Sequence, residues 1–255
     1  MEKKREKRII LKKVMKKINI KQRKVHQKIK NLNLLYQYAK DSKEEFDSIL
    51  NEIASENKTV AILTPLKDRK KAAEKVKLEY KGDASYILDI IRGAIIAQRL
   101  RDINSILKSI KKRFKIVRII DRINNPTVLG YRDIVINIEL NSGLIAEIQI
   151  WLKELAHIKR YTGHIIYDLF KKIDHKKEEE KRELYSWEKH ILEEVVKIGR
   201  YNAERAWERQ LSIEKGENLN KIIFVVTGNK EKVDEVKKIV PNIKWINIEN
   251  IKEIQ

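Results

Sequence analysis

The chain contains no cysteine, which excludes disulfides, thiolate nucleophiles and Cys-ligated zinc. Proline (3) and glycine (8) are scarce among its 255 residues, so collagen-like and Pro- or Gly-rich low-complexity structures are excluded as well. No apolar run approaches the roughly 18 residues that a membrane-spanning helix needs. The basic opening is not followed by an apolar stretch of roughly 7–15 residues, so a secretory signal peptide is not expected. A reducing compartment is compatible with the absence of cysteine, and the expected location is cytoplasmic.

What the chain has in excess is positive charge. Lys and Arg number 57 against 37 Asp and Glu, a formal charge of +20. Part of this is local: residues 1–30 hold 14 Lys or Arg and 2 Glu, and so carry +12. Leu11, Val14, Met15 and Ile18 recur there at helical spacing, which predicts a long basic amphipathic helix. Such an arm suits RNA, DNA or an anionic membrane surface. The competing reading is a solvated terminus in a chain rich in Lys, Ile and Asn.

Three segments follow from the pattern: the arm at 1–30, a central domain at 31–212, and a tail at 219–255. In the central domain, Leu34, Leu35, Tyr36, Ala39, Phe46, Ile49 and Leu50 predict a helix or helix pair. A short strand is expected at 59–63 and a Lys-rich helix from Lys67 to about Tyr80, broken by Gly82-Asp83. Then come a buried strand at 88–97, a helix at 102–113 and a strand at 115–120. Strands at 133–140 and 144–151 are joined by Asn141-Ser142-Gly143, the clearest hairpin signal in the chain. Long helices are expected at 152–172 and 176–210, the second heavily charged and packed back on the sheet. The predicted fold class is α+β, a mixed sheet of about five strands flanked by helices. The tail reads as one βαβ-like unit, too small for a core of its own.

Two acidic residues fall at predicted strand ends among apolar neighbours: Asp89 between Leu88 and Ile90, and Glu147 between Ala146 and Ile148. A carboxylate in a core strand is costly unless it is paired, hydrogen-bonded or metal-bound. Two facing one cleft form the kind of Mg²⁺ site that nucleotide chemistry uses. The alternative is that both point to the solvent face, which a period of two allows. Lys67 and Lys75 lie eight residues apart, on roughly one face of the predicted helix. They can grip a triphosphate as point charges, or form part of a solvated Lys-rich face. Tyr131 follows Gly130 at a loop–strand junction, where an aromatic ring can stack on a base or simply pack.

In order along the chain these elements resemble the synthetase domain of the RelA/SpoT family over about Leu66 to Lys172. Leu66-Lys67 and Glu74-Lys75-Val76 are similar to the family's basic ATP-gripping helix. Asp89 opens Asp-Ile-Ile-Arg-Gly-Ala-Ile, where the family carries its magnesium aspartate. Gly130-Tyr131-Arg132 is similar to its Gly-Tyr-Arg, Glu147-Ile-Gln-Ile150 to its Glu-Ile-Gln-Ile, and His164 with Tyr167 to its helical His-x-x-Tyr. The resemblance implies ATP and Mg²⁺ as cofactor chemistry, with Asp89 and Glu147 as metal ligands and catalytic carboxylates. It further implies Lys67 and Lys75 on the ATP phosphates, and Tyr131, Arg132 and His164 on the acceptor.

The departures fall on the acceptor side. Basic family positions are Pro65, Ile120 and Thr127 here, a histidine is Val135, and the Arg-Thr after the Glu-Ile-Gln-Ile is Trp151-Leu152. The implied function is pyrophosphoryl transfer from ATP to a 3′-hydroxyl of a nucleotide or of tRNA. The alternative is a catalytically silent nucleotide- or RNA-binding protein that uses the basic arm. In the tail, Phe224 to Lys232 with Glu235 resembles the opening strand and loop of the inosine-triphosphate pyrophosphatase (Ham1-like) family, over about 35 residues only.

Overall fold

The computed structural model describes residues 25–159 and 163–216. Residues 1–24 of the basic helix predicted within 1–30, and the whole tail unit at 219–255, lie outside the described residues.

The first long helix, α1 (Leu32–Glu56), starts where the Asn31 side chain accepts hydrogen bonds from the backbone of Asn33 and Leu34, satisfying donors that a helix start leaves free. Leu35, Ala39, Ser42, Phe46, Leu50 and Ile53 recur every three or four residues and are buried, so one face of α1 lies on the sheet. It is a single helix rather than a pair.

The five strands are β1 (Ala61–Leu63), β2 (Arg92–Ala97), β3 (Lys115–Asp121), β4 (Ile134–Glu139) and β5 (Ile145–Leu152), in sheet order β1-β2-β5-β4-β3. Only β2 and β5 run parallel. Helix α2 (Arg69–Glu79) precedes β2, with Asp68 capping it through the Lys71 amide, and α3 (Asp102–Arg113) joins β2 to β3. The β4–β5 turn closes with Leu140 N donating to Leu144 O at 2.8 Å, and Gly143 there has φ +77°, a conformation that glycine adopts without a Cβ penalty.

Alternation along the strands separates two faces. One carries Ile95, Ile134, Ile136, Ile138, Ile148 and Ile150, fully buried with Phe46, Leu50, Ile53, Ile103, Ile106 and Ile110 in one core. Each such side chain contributes about 1.5–3 kcal/mol by burial. Gly93 of β2 is required here: a Cβ would stand 2.5 Å from Leu50 Cδ2 and 3.3 Å from the Ile62 carbonyl. The other face carries Arg92, Glu147, Gln149, Trp151, Asn137 and Arg118.

Three expectations are corrected. The strand expected from Leu88 begins only at Arg92, because residues 87–91 form an irregular lead-in tied down by backbone bonds to Lys67, Glu147 and, through a side chain, Gln27. Of the long helix expected at 152–172, the structure describes α4 (Lys153–Ile158) and α5 (His164–Asp174), with residues 160–162 outside the described residues. The next is divided into α6 (Lys176–Glu180) and α7 (Ser186–Glu214), since Lys181 turns left-handed at φ 49°. Helix α7 packs on α4 and α5 rather than directly on the sheet, burying Val195, Ala203, Ala206 and Trp207. Residues 25–31 are irregular, and Gln27 is buried between two segments, its amide donating to the Ile87 and Ile145 carbonyls and accepting from the Ile145 amide. Among the described residues no helix is long and apolar enough to cross a membrane.

Candidate functional site

The strand register builds the site. Arg92 of β2 pairs with Glu147 of β5, Glu147 with Asn137 of β4, and Asn137 with Arg118 of β3. These four form one row across the polar face of the sheet. Gln149 and Val135 belong to the next row. Glu147 therefore points away from the apolar core, as its period-two position requires.

Asp89 reaches the same end of the sheet from the lead-in before β2. Its carboxylate takes three cations: Lys67 Nζ at 2.7 Å, Lys75 Nζ at 3.9 Å and Arg92 Nη1 at 3.8 Å. Lys67 is not helical, because α2 begins only after Asp68; the two lysines share Asp89 without sharing a helix face. The Lys67 backbone is fixed from both sides, its N–H donating to Ile90 O at 3.0 Å and its carbonyl accepting from Tyr36 Oη at 2.5 Å. Burial pushes the Asp89 carboxyl up, but Lys75, Lys67 and Arg92 outweigh it and hold it below the ordinary aspartate range. Burial likewise opposes the charge on Lys75, and Asp89, Tyr80 and Glu79 together more than offset it. Burial also pushes the Tyr36 phenol up to about 12, with Asp68 and Asp89 adding to the effect.

Glu147 has the opposite balance. Burial raises its carboxyl above the ordinary glutamate range, and the charge of Asp89 raises it further, against the Gln149 hydrogen bond and the cations Arg122 and Lys159. Gln149 Nε2 donates to Glu147 Oε1 at 2.5 Å, while Gln149 Oε1 accepts from Trp151 Nε1 at 2.8 Å and from Lys159 Nζ at 2.5 Å. Behind them lies Asp133, fully buried, with Arg122 at 3.5 Å and Lys159 at 3.7 Å. Burial raises the Asp133 carboxyl despite both cations. Burial also brings Lys159 down to about 8, against Asp133 and Glu147.

Tyr131 stands at this end, its ring against the core cluster and 4.9 Å from Lys159 Nζ. Its buried hydroxyl has no hydrogen-bond partner, and burial, then Asp133, pushes the phenol well above its ordinary range. The loop before it is pinned to α7: Gly130, at φ +78°, lies where a Cβ would come 3.1 Å from Arg200 Cα. Arg132 joins that same anchorage. Its guanidinium lies 4.8 Å from the Trp207 ring and 3.9 Å from Glu204, and donates to the Ile123 carbonyl. The side chain that the resemblance assigns to the acceptor thus also holds the loop. His164 is the first residue of α5.

The structure brings together Lys67, Lys75, Asp89 and Glu147, with Tyr131 beyond them. Sequence reasoning missed Arg92 and Gln149, although both lie inside the motifs it quoted. It also missed Arg122, Asp133, Asn137 and Lys159. Alternation along β3 and β4 could have placed the first three on the polar face; no local signal marks Lys159.

The chemistry of the set fits a divalent cation. Asp89 Oδ1 is buried without a hydrogen-bond partner, and Glu147 feels its charge. Among the described residues no group of three or more His, Asp or Glu could hold a metal by itself. Two carboxylates with the remaining positions left to phosphates is how Mg²⁺ is usually bound with nucleotides.

No family model matches the chain. The chain is 28% identical over 125 residues to the (p)ppApp synthetase toxin Tas1 of Pseudomonas aeruginosa (strain UCBPP-PA14), a stretch that covers 49% of this chain and 28% of that protein. The fold is similar to that of the type VI effector Tas1 in the crystal structure with its immunity protein: TM-score 0.50, 20% identity, 69% of this chain and 96% of that one. A further similar structure is small alarmone synthetase 1 from Bacillus subtilis bound to its product pppGpp: TM-score 0.49, 19% identity, 72% and 92% covered. The resemblance to RelA/SpoT-like synthetases read from the motifs is therefore matched by homology to Tas1 over about half of the chain, and by a common fold.

Proposed function

We propose that this chain is a RelA/SpoT-like pyrophosphokinase that transfers the β,γ-pyrophosphoryl group of ATP to the 3′-hydroxyl of a nucleotide. The observation that carries this reading is the pairing at one end of the sheet. A carboxylate held ionised by three cations, Asp89, stands beside a second carboxyl of raised proton affinity, Glu147. Two carboxyl groups pushed in opposite directions are what a site that must both bind phosphate–metal and accept a proton requires.

In the transfer, the acceptor 3′-oxygen attacks the β-phosphorus of ATP, the bond from that phosphorus to the α,β-bridging oxygen breaks, and AMP leaves. Lys67, Lys75 and Arg92 neutralise the charge on the transferring group. Glu147 takes the proton of the attacking hydroxyl. Its raised affinity brings it nearer to the operating pH than an ordinary glutamate. Asp89 and Glu147 would hold Mg²⁺, which supplies Lewis-acid charge on the phosphate oxygens. Tyr131 and His164 are assigned to the acceptor side.

The test is transfer from γ-³²P-ATP with Mg²⁺, reading both AMP release and label on the acceptor. ADP, ATP, GDP, GTP and bulk tRNA are offered. Adenine nucleotides head the list because the homologue is named for (p)ppApp, and tRNA is included because of the +12 carried by residues 1–30. Label appearing on an acceptor with matching AMP supports the reading; ATP left intact with every acceptor overturns it in favour of silent binding.

A further inference from the structure

Among the side chains around Glu147, Lys159 comes from beyond the sheet and its loops. Lys159 follows α4, and its ammonium reaches Gln149 and Trp151 on the polar face of the sheet. It donates to Gln149 Oε1 at 2.5 Å and lies 3.7 Å from Asp133 Oδ2, 4.3 Å from the Trp151 ring and 4.9 Å from the Tyr131 ring. A lysine with this many partners is not a solvated charge.

We infer that Lys159 is a positioning residue for Glu147, acting through the side-chain amide of Gln149. The inference rests on the reading of Glu147 as the group that takes the acceptor proton. A glutamine amide can present either its oxygen or its nitrogen to a neighbour, and the surrounding donors decide which. Here two donors, Trp151 Nε1 at 2.8 Å and Lys159 Nζ, converge on the oxygen. The nitrogen is left to face Glu147, and it donates to Oε1. That bond ties one oxygen of the carboxyl to the sheet and so sets which oxygen is presented to the acceptor. Of the two donors Lys159 is the charged one, and charge-assisted hydrogen bonds are about twice as strong as neutral ones. The chain runs from Lys159 through Gln149 to Glu147, with Asp133 and the two aromatic rings keeping the ammonium in place.

A relay of this kind has a signature that simple packing lacks. If Lys159 acts only through Gln149, its removal has no further consequence once Gln149 is gone. The experiment uses the full chain and the transfer assay above, with Lys159→Met, Lys159→Arg, Gln149→Met and the double variant. Thermal midpoints are recorded alongside. The expected result is a fall in kcat of about tenfold in Lys159→Met with KM for ATP within about twofold of wild type, since the lost interaction concerns the proton acceptor and not the ATP phosphates. Lys159→Arg, which keeps charge and donors, is expected to stay within about threefold of wild-type kcat. The double variant is expected to match Gln149→Met alone. Losses that multiply in the double variant overturn the inference, as does an unchanged kcat in Lys159→Met. If Lys159→Met does not fold, the same comparison is made with Lys159→Gln. A wild-type chain without transfer overturns the underlying reading and the inference with it, whereas transfer with multiplying losses removes only the inference.

Discussion

The two halves of the site are built on opposite electrostatic balances. Around Asp89, three cations share one carboxylate, leaving a local excess of positive charge before any substrate arrives. Around Glu147 and Asp133, two acids and two cations nearly cancel, and burial prevails over pairing: both carboxyl groups are raised and Lys159 is lowered. The first half suits a ligand that brings several negative charges. The second suits a group that gives up a proton and a base that packs. One sheet face can serve both tasks when cations gather at the lead-in to one strand and burial increases toward the hairpin strands.

The largest effect is expected of Asp89→Asn. It removes the charge that holds the three cations together, and transfer is expected to fall by at least about a thousandfold, with the far-ultraviolet circular dichroism unchanged. Retained transfer in Asp89→Asn would sink the assignment. Next in size is Lys67→Met, read by KM. Lys67 is the nearest cation to Asp89, at 2.7 Å against 3.9 Å for Lys75. KM for ATP is expected to rise about tenfold to a hundredfold, more than in Lys75→Met, with KM for the acceptor unmoved. A matching rise for the acceptor would show that the two halves are not separate. A smaller effect is expected of Arg132→Met. Its guanidinium holds the loop to Trp207 and Glu204, so the thermal midpoint should drop by several degrees, roughly the effect of about 1–2 kcal/mol. The acceptor KM should change little; a large change there would return Arg132 to the acceptor.

Most of the first half was legible in the sequence and much of the second was not, for physical reasons. Asp89 and Glu147 stood out because a carboxylate among isoleucines needs an explanation, and the ordered motifs supplied one. Lys67 and Lys75 were found by a helical-face argument whose premise fails, since Lys67 lies before the Asp68 cap; they meet because the lead-in before β2 runs beside them. The strand order β1-β2-β5-β4-β3 follows from pairings far apart in sequence, and it alone puts Arg92, Glu147, Asn137 and Arg118 in one row. Lys159 had no signal at all. Its neighbours Gln149 and Asp133 lie 10 and 26 residues away along the chain, and nothing in the periodicity of its own segment singles it out. The position after the Glu-Ile-Gln-Ile, where the resembled family has arginine, is Trp151; a cation arrives at that indole from Lys159 instead, 4.3 Å from the ring.

The smallest expected effect tests whether burial really prevails over pairing in the second half. Burial brings Lys159 down to about 8 against the attraction of Asp133 and Glu147, whereas in the unfolded chain a lysine titrates near 10.4. Between those values the unfolded chain holds a proton that the folded chain has released, so the folded state gains stability as pH rises through this window. A chain without the group lacks that gain. The difference in thermal midpoint between wild type and Lys159→Met should therefore move in favour of wild type between about pH 7.5 and pH 10, by a few degrees. Differential scanning fluorimetry across that range reads it, and the shared titration of the other lysines cancels in the comparison. A difference that stays flat would mean that Asp133 keeps the ammonium charged throughout. The second half would then be governed by pairing like the first, and the contrast between the two would reduce to the number of cations each carboxylate shares.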